Sequence, residues 1–115
     1  MPRDPGIEQA FREELAARLP MERVSERPMF GGLCFMLDGN MVGGASDRGA
    51  MLRVGRAAEA EALALPGVAP MIHGGRAKPD YVRIGRERFG EAAARRRLMD
   101  MAVACVSALP PKEAT

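Results

Sequence analysis

The sequence predicts an α+β domain of two layers, with helices packed on one face of an antiparallel sheet in the order α-β(3–4)-α-β(2)-α. Three observations carry this. Apolar residues recur at helical spacing near both ends of the chain. Between them the pattern changes to short extended pieces cut by Gly-Gly, Asp-Gly and Gly-Gly-Arg, as in hairpins. The length, 115 residues, is that of one domain with a real core.

The first helix opens at Asp4-Pro5, with Asp4 as the N-cap and Pro5 at the first helical position. Ile7, Phe11, Leu15 and Leu19 then recur every fourth residue, up to Pro20. Val24 to Phe30 reads as a strand, at a sheet edge because of Pro28. After Gly31-Gly32, Leu33 to Leu37 is apolar throughout, which predicts a strand covered on both faces. Asp38-Gly39 is the preferred pair for a type I′ hairpin, and Met41 to Ala45 returns from it. Beyond the turn at Ser46 to Gly49, Ala50, Leu52 and Val54 alternate with Met51 and Arg53, a half-buried strand. Four sequential antiparallel strands form a meander.

Arg56 to Leu65 is an Ala-rich helix stopped by Pro66-Gly67. Val68 to Ile72 is a short strand and His73 to Arg76 a turn. Tyr81 to Ile84 is a strand with Val82 and Ile84 on one side and Tyr81 and Arg83 on the other. A last helix is expected from Phe89 to Leu109, before Pro110-Pro111. The domain is read as residues 1–115, with 110–115 frayed.

Composition excludes several classes. The net charge of +2, with acids and bases interleaved, is too small for a nucleic-acid protein without a concentrated patch. Cys34 and Cys105 belong to no CxxC pair, so neither a disulfide scaffold nor a zinc site is expected. The N-terminus has no apolar signal region, and no apolar run approaches the ~18 residues of a membrane span. A reducing cytoplasm is the expected compartment. No catalytic, metal or cofactor residues are assigned.

Four features invite a functional reading. Gly31, Gly32, Gly43 and Gly44 flank the Asp38-Gly39 hairpin and could let a ligand approach the backbone, although bulges and tight packing explain such glycines more simply. His73-Gly74-Gly75-Arg76 resembles an anion loop but lacks Walker spacing. Arg95-Arg96-Arg97 is interrupted by acids and points in different directions around a helix, which reads as a salt-bridged face. In the last helix, Leu98, Met101, Ala102, Cys105 and Leu109 form a core stripe, and Met99, Val103 and Val106 form a second one beside it. The combined apolar arc of roughly 200° exceeds what a surface helix needs. That second stripe is the candidate protein-interaction face, and it predicts a homodimer.

Arg27-Pro28-Met29-Phe30-Gly31-Gly32-Leu33, the Asp38-Gly39 hairpin and Met51-Leu52-Arg53-Val54 together resemble the N-terminal domain family of the competence regulator TfoX, also called Sxy. The likeness continues through Pro66 to Met71 and Asp80 to Ile84 and covers nearly the whole chain. It implies the same two-layer fold. It also implies a non-enzymatic, bacterial role in transcription regulation. Full-length members act with the cyclic-AMP receptor protein at promoters of DNA-uptake genes and carry a helical C-terminal domain. This chain is read as a stand-alone member without that domain. The expectation is a regulatory module that contacts another protein. It excludes a membrane and strong direct nucleic-acid binding. The rival expectation is a small-molecule-binding protein or small enzyme using the Gly-rich sheet and the loop around His73, with Arg53, Asp80 and Tyr81.

Overall fold

The computed structural model describes residues 3–29 and 31–112. Helix α1 (Pro5–Ala16) starts where Asp4 accepts hydrogen bonds from the backbone N–H groups of Gly6 at 2.9 Å and Ile7 at 3.2 Å. These satisfy two donors that the first turn leaves open, and Pro5 sits where no N–H is needed. A short 3-10 turn (Met21–Arg23) leads to β1 (Val24–Met29), β2 (Gly32–Leu37), β3 (Asn40–Ser46) and β4 (Gly49–Arg53). Helix α2 (Arg56–Leu63), β5 (Val68–His73), β6 (Arg76–Gly85), α3 (Arg86–Phe89) and α4 (Ala92–Ser107) complete the chain.

The six strands form one antiparallel sheet in the order β1-β2-β3-β4-β6-β5. The expected meander is present, with β1 at one edge. Beyond it, β6 pairs with β4 and leaves β5 at the other edge. Asp38 and Gly39 have φ of 50° and 85°, and Gly74 and Gly75 have 61° and 77°. Both pairs form two-residue turns with positive φ at both centres, matching the twist of the flanking strands.

The helices lie on one face. α1 and α4 pack over β3, α4 also over β4, and α2 over β5 and β6. Their apolar faces share one cluster with Leu33, Phe35, Leu37, Val42, Leu52, Val82 and Ile84. At its centre the Phe11 ring stacks on Phe35, with centroids 4.5 Å apart and planes within 5°, and Phe89 lies 6.0 Å away. The β2–β3 register shifts between Phe35 and Met36, so Phe35 pairs with Gly43 and Met36 with Met41. Val42 is the extra residue of this bulge. It turns into the core with Gly43, above which Phe11 sits. A Cβ on Gly43 would come 2.9 Å from Phe11 Cζ and overlap the Met51 carbonyl oxygen.

Four expectations change. The last helix starts at Ala92 instead of Phe89, after a break at Gly90, whose N–H donates to the carbonyls of Arg86 and Glu87 and ends the separate turn α3. Glu91 is extended before α4 begins. Strand β6 is longer than Tyr81 to Ile84, because Arg76 and Ala77 already pair with β5. Residues 110–112 are tied down rather than frayed. The Lys112 N–H donates to the Asp38 carbonyl at 2.8 Å, and Asn40 Nδ2 donates to the Pro110 carbonyl at 2.9 Å. Residues 113–115 and Phe30 lie outside the described residues. Finally, β2 is not sandwiched. Leu33, Phe35 and Leu37 face the helices, whereas Cys34 and Met36 face the other way, where no helix lies.

Candidate interaction face

Strand alternation places every second residue of this sheet on the side away from the helices. Read across the strands, one row runs Arg27, Cys34, Gly44, Met51, Arg83, Ala69. Beside it lie Ser25, Met36 and Met41 on one flank, and Arg53 paired with Tyr81 toward the other edge. Met29 occupies the same side two residues after Arg27. Four of the nine methionines, Met29, Met36, Met41 and Met51, thus share this face, each partly exposed.

Cys34 is 2% exposed yet belongs to no part of the main cluster. It lies low between the longer side chains of its row, with its Sγ close to the bare backbone of Gly44, where a Cβ would come within 3.3 Å. Burial pushes its thiol above the ordinary range. Tyr81 is also raised, chiefly by burial, although the Arg53 charge opposes the shift. The Arg53 guanidinium stands 5.8 Å from the Tyr81 ring centroid, a cation–π arrangement.

The ion pairs are unevenly distributed between the two sides. Nine arginines form ion pairs among the described residues, and all lie on the helical side or the rim of the sheet. They are Arg3, Arg12, Arg18, Arg23, Arg56, Arg86, Arg88, Arg95 and Arg97. Glu14 alone takes both Arg18 and Arg95 at 2.8 Å, tying α1 to α4. Burial pulls the Glu14 carboxyl up, but hydrogen bonds from Arg95 and Arg18 and their charges bring it below its ordinary value. Among the described residues, Arg27, Arg53 and Arg83 form no ion pair, as is also true of Arg48, Arg76 and Arg96, and no described Asp or Glu shares the rows of the first three.

The sequence-derived candidates fall elsewhere. Met99 and Val106 are 0% and 1% exposed, at the centre of the buried side of α4 with Leu98 and Ala102. Met101, Cys105 and Leu109, assigned to the core, lie at its margin, and Val103 is half-buried. The apolar arc is wide because α4 lies beside α1 as well as on the sheet, so the chain itself covers both stripes. Gly31 is an exposed turn residue with φ of 75°. Gly43 lies under Phe11, and a Cβ on Gly32 would overlap the Ala45 carbonyl oxygen, so neither leaves room for a ligand. Gly44 does line the open side. His73 is exposed at the β5–β6 hairpin, with Arg76 to Asp80 separating it from Tyr81 along β6. Of the rival's candidates, the structure brings together only Arg53, Tyr81 and Asp80. Two depressions lie on the helical side. One is lined by Leu65, Arg88, Ala94 and Arg97, the other by Asp4, Ala10, Arg86 and Phe89.

The open face was overlooked in the sequence, although its signal was there. Met51, Arg53, Tyr81 and Arg83 fall on the outer side by simple alternation. The unbroken apolar run of β2 then says that this outer side is apolar too.

A six-stranded antiparallel sheet with all helices on one side, and an apolar, arginine-bearing opposite side, defines an open-faced α+β domain. The chain belongs to the TfoX N-terminal domain family, whose model matches residues 14–106. That span runs from the last turn of α1 to the last turn of α4 and includes every strand. Comparison with curated proteins and with solved structures found no match. Among the described residues, no helix is long and apolar enough to cross a membrane.

Proposed function

We propose that the chain is a non-catalytic regulatory module that acts by contact with another macromolecule through the open face of its sheet. Family membership supports a place in transcription regulation in the bacterial cytoplasm. The observation that carries the reading is the open sheet face just described, with its four methionines and three arginines. Nine arginines of the helical side and the rim are held by carboxylates, while Arg27, Arg53 and Arg83, among the described residues, stand without an ion pair around partly exposed methionine surface. Apolar surface of this kind, rimmed by polar groups, marks interaction sites.

Site-specific photo-crosslinking in the native host tests this. A photoreactive residue at Met51 or Arg83 should trap a discrete partner, and one at exposed Ala104 on α4 should not. Trapping from Ala104 but not from the sheet would overturn the reading.

A further inference from the structure

We infer that the occupant of the open face is an acidic amphipathic helix of a partner protein, laid across the strands along the row Arg27–Cys34–Gly44–Met51–Arg83. This rests on the reading above and adds the chemistry of the partner.

The length fits first. Arg27 on β1 and Arg83 on β6 are four strand steps apart in the sheet order. At ~4.8 Å per step that is about 19 Å. A helix rises ~1.5 Å per residue, so about 13 residues bridge the two guanidinium groups. A carboxylate near each end of such a helix would meet one arginine each.

The surface between them fits next. Cys34 and Gly44 are low, so the middle of the row is a shallow floor, while Met29, Met36, Met41 and Met51 rise around it. Methionine is flexible and polarizable and packs against side chains of many shapes, which suits an apolar helical stripe with residues at i, i+3, i+4 and i+7. The opposite side of the same sheet already packs α1 and α4 in this way.

Charge decides the sign of the partner. Three arginines with no carboxylate in their rows favour a ligand that brings its own acids and repel a basic one. Single-stranded nucleic acid, whose bases stack on exposed aromatic rings, finds no such platform here. Among the described residues, the single aromatic side chain on this face, Tyr81, is half-buried and already engaged by Arg53.

The test uses a synthetic helix-forming peptide with a leucine stripe and glutamates about 13 residues apart. Its controls are the same peptide with lysines in place of the glutamates, and a single-stranded oligothymidylate. Methyl spectra of methionine-labelled protein report the site. The acidic peptide should shift the methyls of Met29, Met36, Met41 and Met51 and leave Met99 unmoved. It should bind at least about tenfold more tightly than the lysine peptide, and salt should weaken it. The double variant Arg27→Glu/Arg83→Glu should reverse the preference. Both positions are exposed, and an unchanged Met99 methyl confirms the fold. Absence of any shift at about 1 mM acidic peptide would overturn the inference. So would equal response to both peptides, or tighter binding of the oligonucleotide at these methyls. If crosslinks still form at Met51 while the peptides fail, the face is right and the assigned partner chemistry is wrong.

Discussion

Replacing Met99 by alanine distinguishes a core residue of the domain from a residue waiting for a second copy. Met99 has no exposed surface. Truncation removes Cγ, Sδ and Cε and leaves a void bounded by the sheet and neighbouring helices. Such changes cost about 2–5 kcal/mol, depending on how far the surroundings collapse. A domain of this size has about 5–15 kcal/mol in all, so the variant loses a large share. With a urea m-value of about 1.5 kcal/mol per molar, a 3 kcal/mol loss lowers the unfolding midpoint by about 2 M. The assay is urea unfolding followed by circular dichroism at two protein concentrations a hundredfold apart (about 2 and 200 µM), because association makes stability depend on concentration. Ala104→Ser, exposed on the same helix, is the control. The expected result is a large fall for Met99→Ala that is the same at both concentrations. The reasoning fails if the variant unfolds with the wild type at low concentration and differs only at high concentration, since Met99 would then be buried between copies.

Three further outcomes follow from local geometry. Gly43→Ala should destabilise the fold by more than about 2 kcal/mol, because its Cβ meets Phe11 and the Met51 carbonyl. Gly74→Ala, with φ of 61° but open space around it, should cost only about 1 kcal/mol, and thermal melts will separate the two. The Glu14 carboxyl has a folded pKa below its unfolded value, so its stabilising effect is full above the unfolded pKa of about 4.3 and is lost as pH falls through the folded one. Glu14→Gln should therefore lose about 1–3 kcal/mol near neutrality and little at the acid end, where the wild-type carboxyl is also protonated, as read by unfolding curves across pH. Burial raises both thiols, so alkylation at neutral pH should be slower than for a free cysteine. Cys34 should react only on unfolding, which mass spectrometry of alkylated protein with and without urea will show.

Most of the fold was legible because local chemistry and tertiary packing agree. Asp4-Pro5, Asp38-Gly39 and Gly74-Gly75 each specify one backbone shape, and the strands between them alternate. The break at Gly90 was hidden because the apolar pattern of α4 runs on without regard to a single extended residue at Glu91. The face that α4 buries was misjudged for a different reason. Periodicity gives the width of an apolar arc but not how many neighbours cover it, and α1 closes over the side that seemed surplus. The same gap hid the open face. Cys34 and Met36 reveal that β2 is apolar on both sides, yet only the placement of four helices on one side shows which of those two surfaces stays uncovered.

The link from the C-terminal segment to the β2–β3 hairpin has a kinetic meaning. The hydrogen bond from Asn40 to the Pro110 carbonyl joins positions 70 residues apart. Most strand pairings here join neighbours in sequence, so the meander can assemble by short closures. The link instead closes a loop containing most of the chain. Its entropic cost is met only after the sheet and α4 have fixed both ends. It should therefore form after the rate-limiting barrier and break early. Asn40→Ala would then speed unfolding while leaving the folding rate nearly unchanged. The end of the chain would act as a late latch, lengthening the native lifetime without guiding the search for the fold.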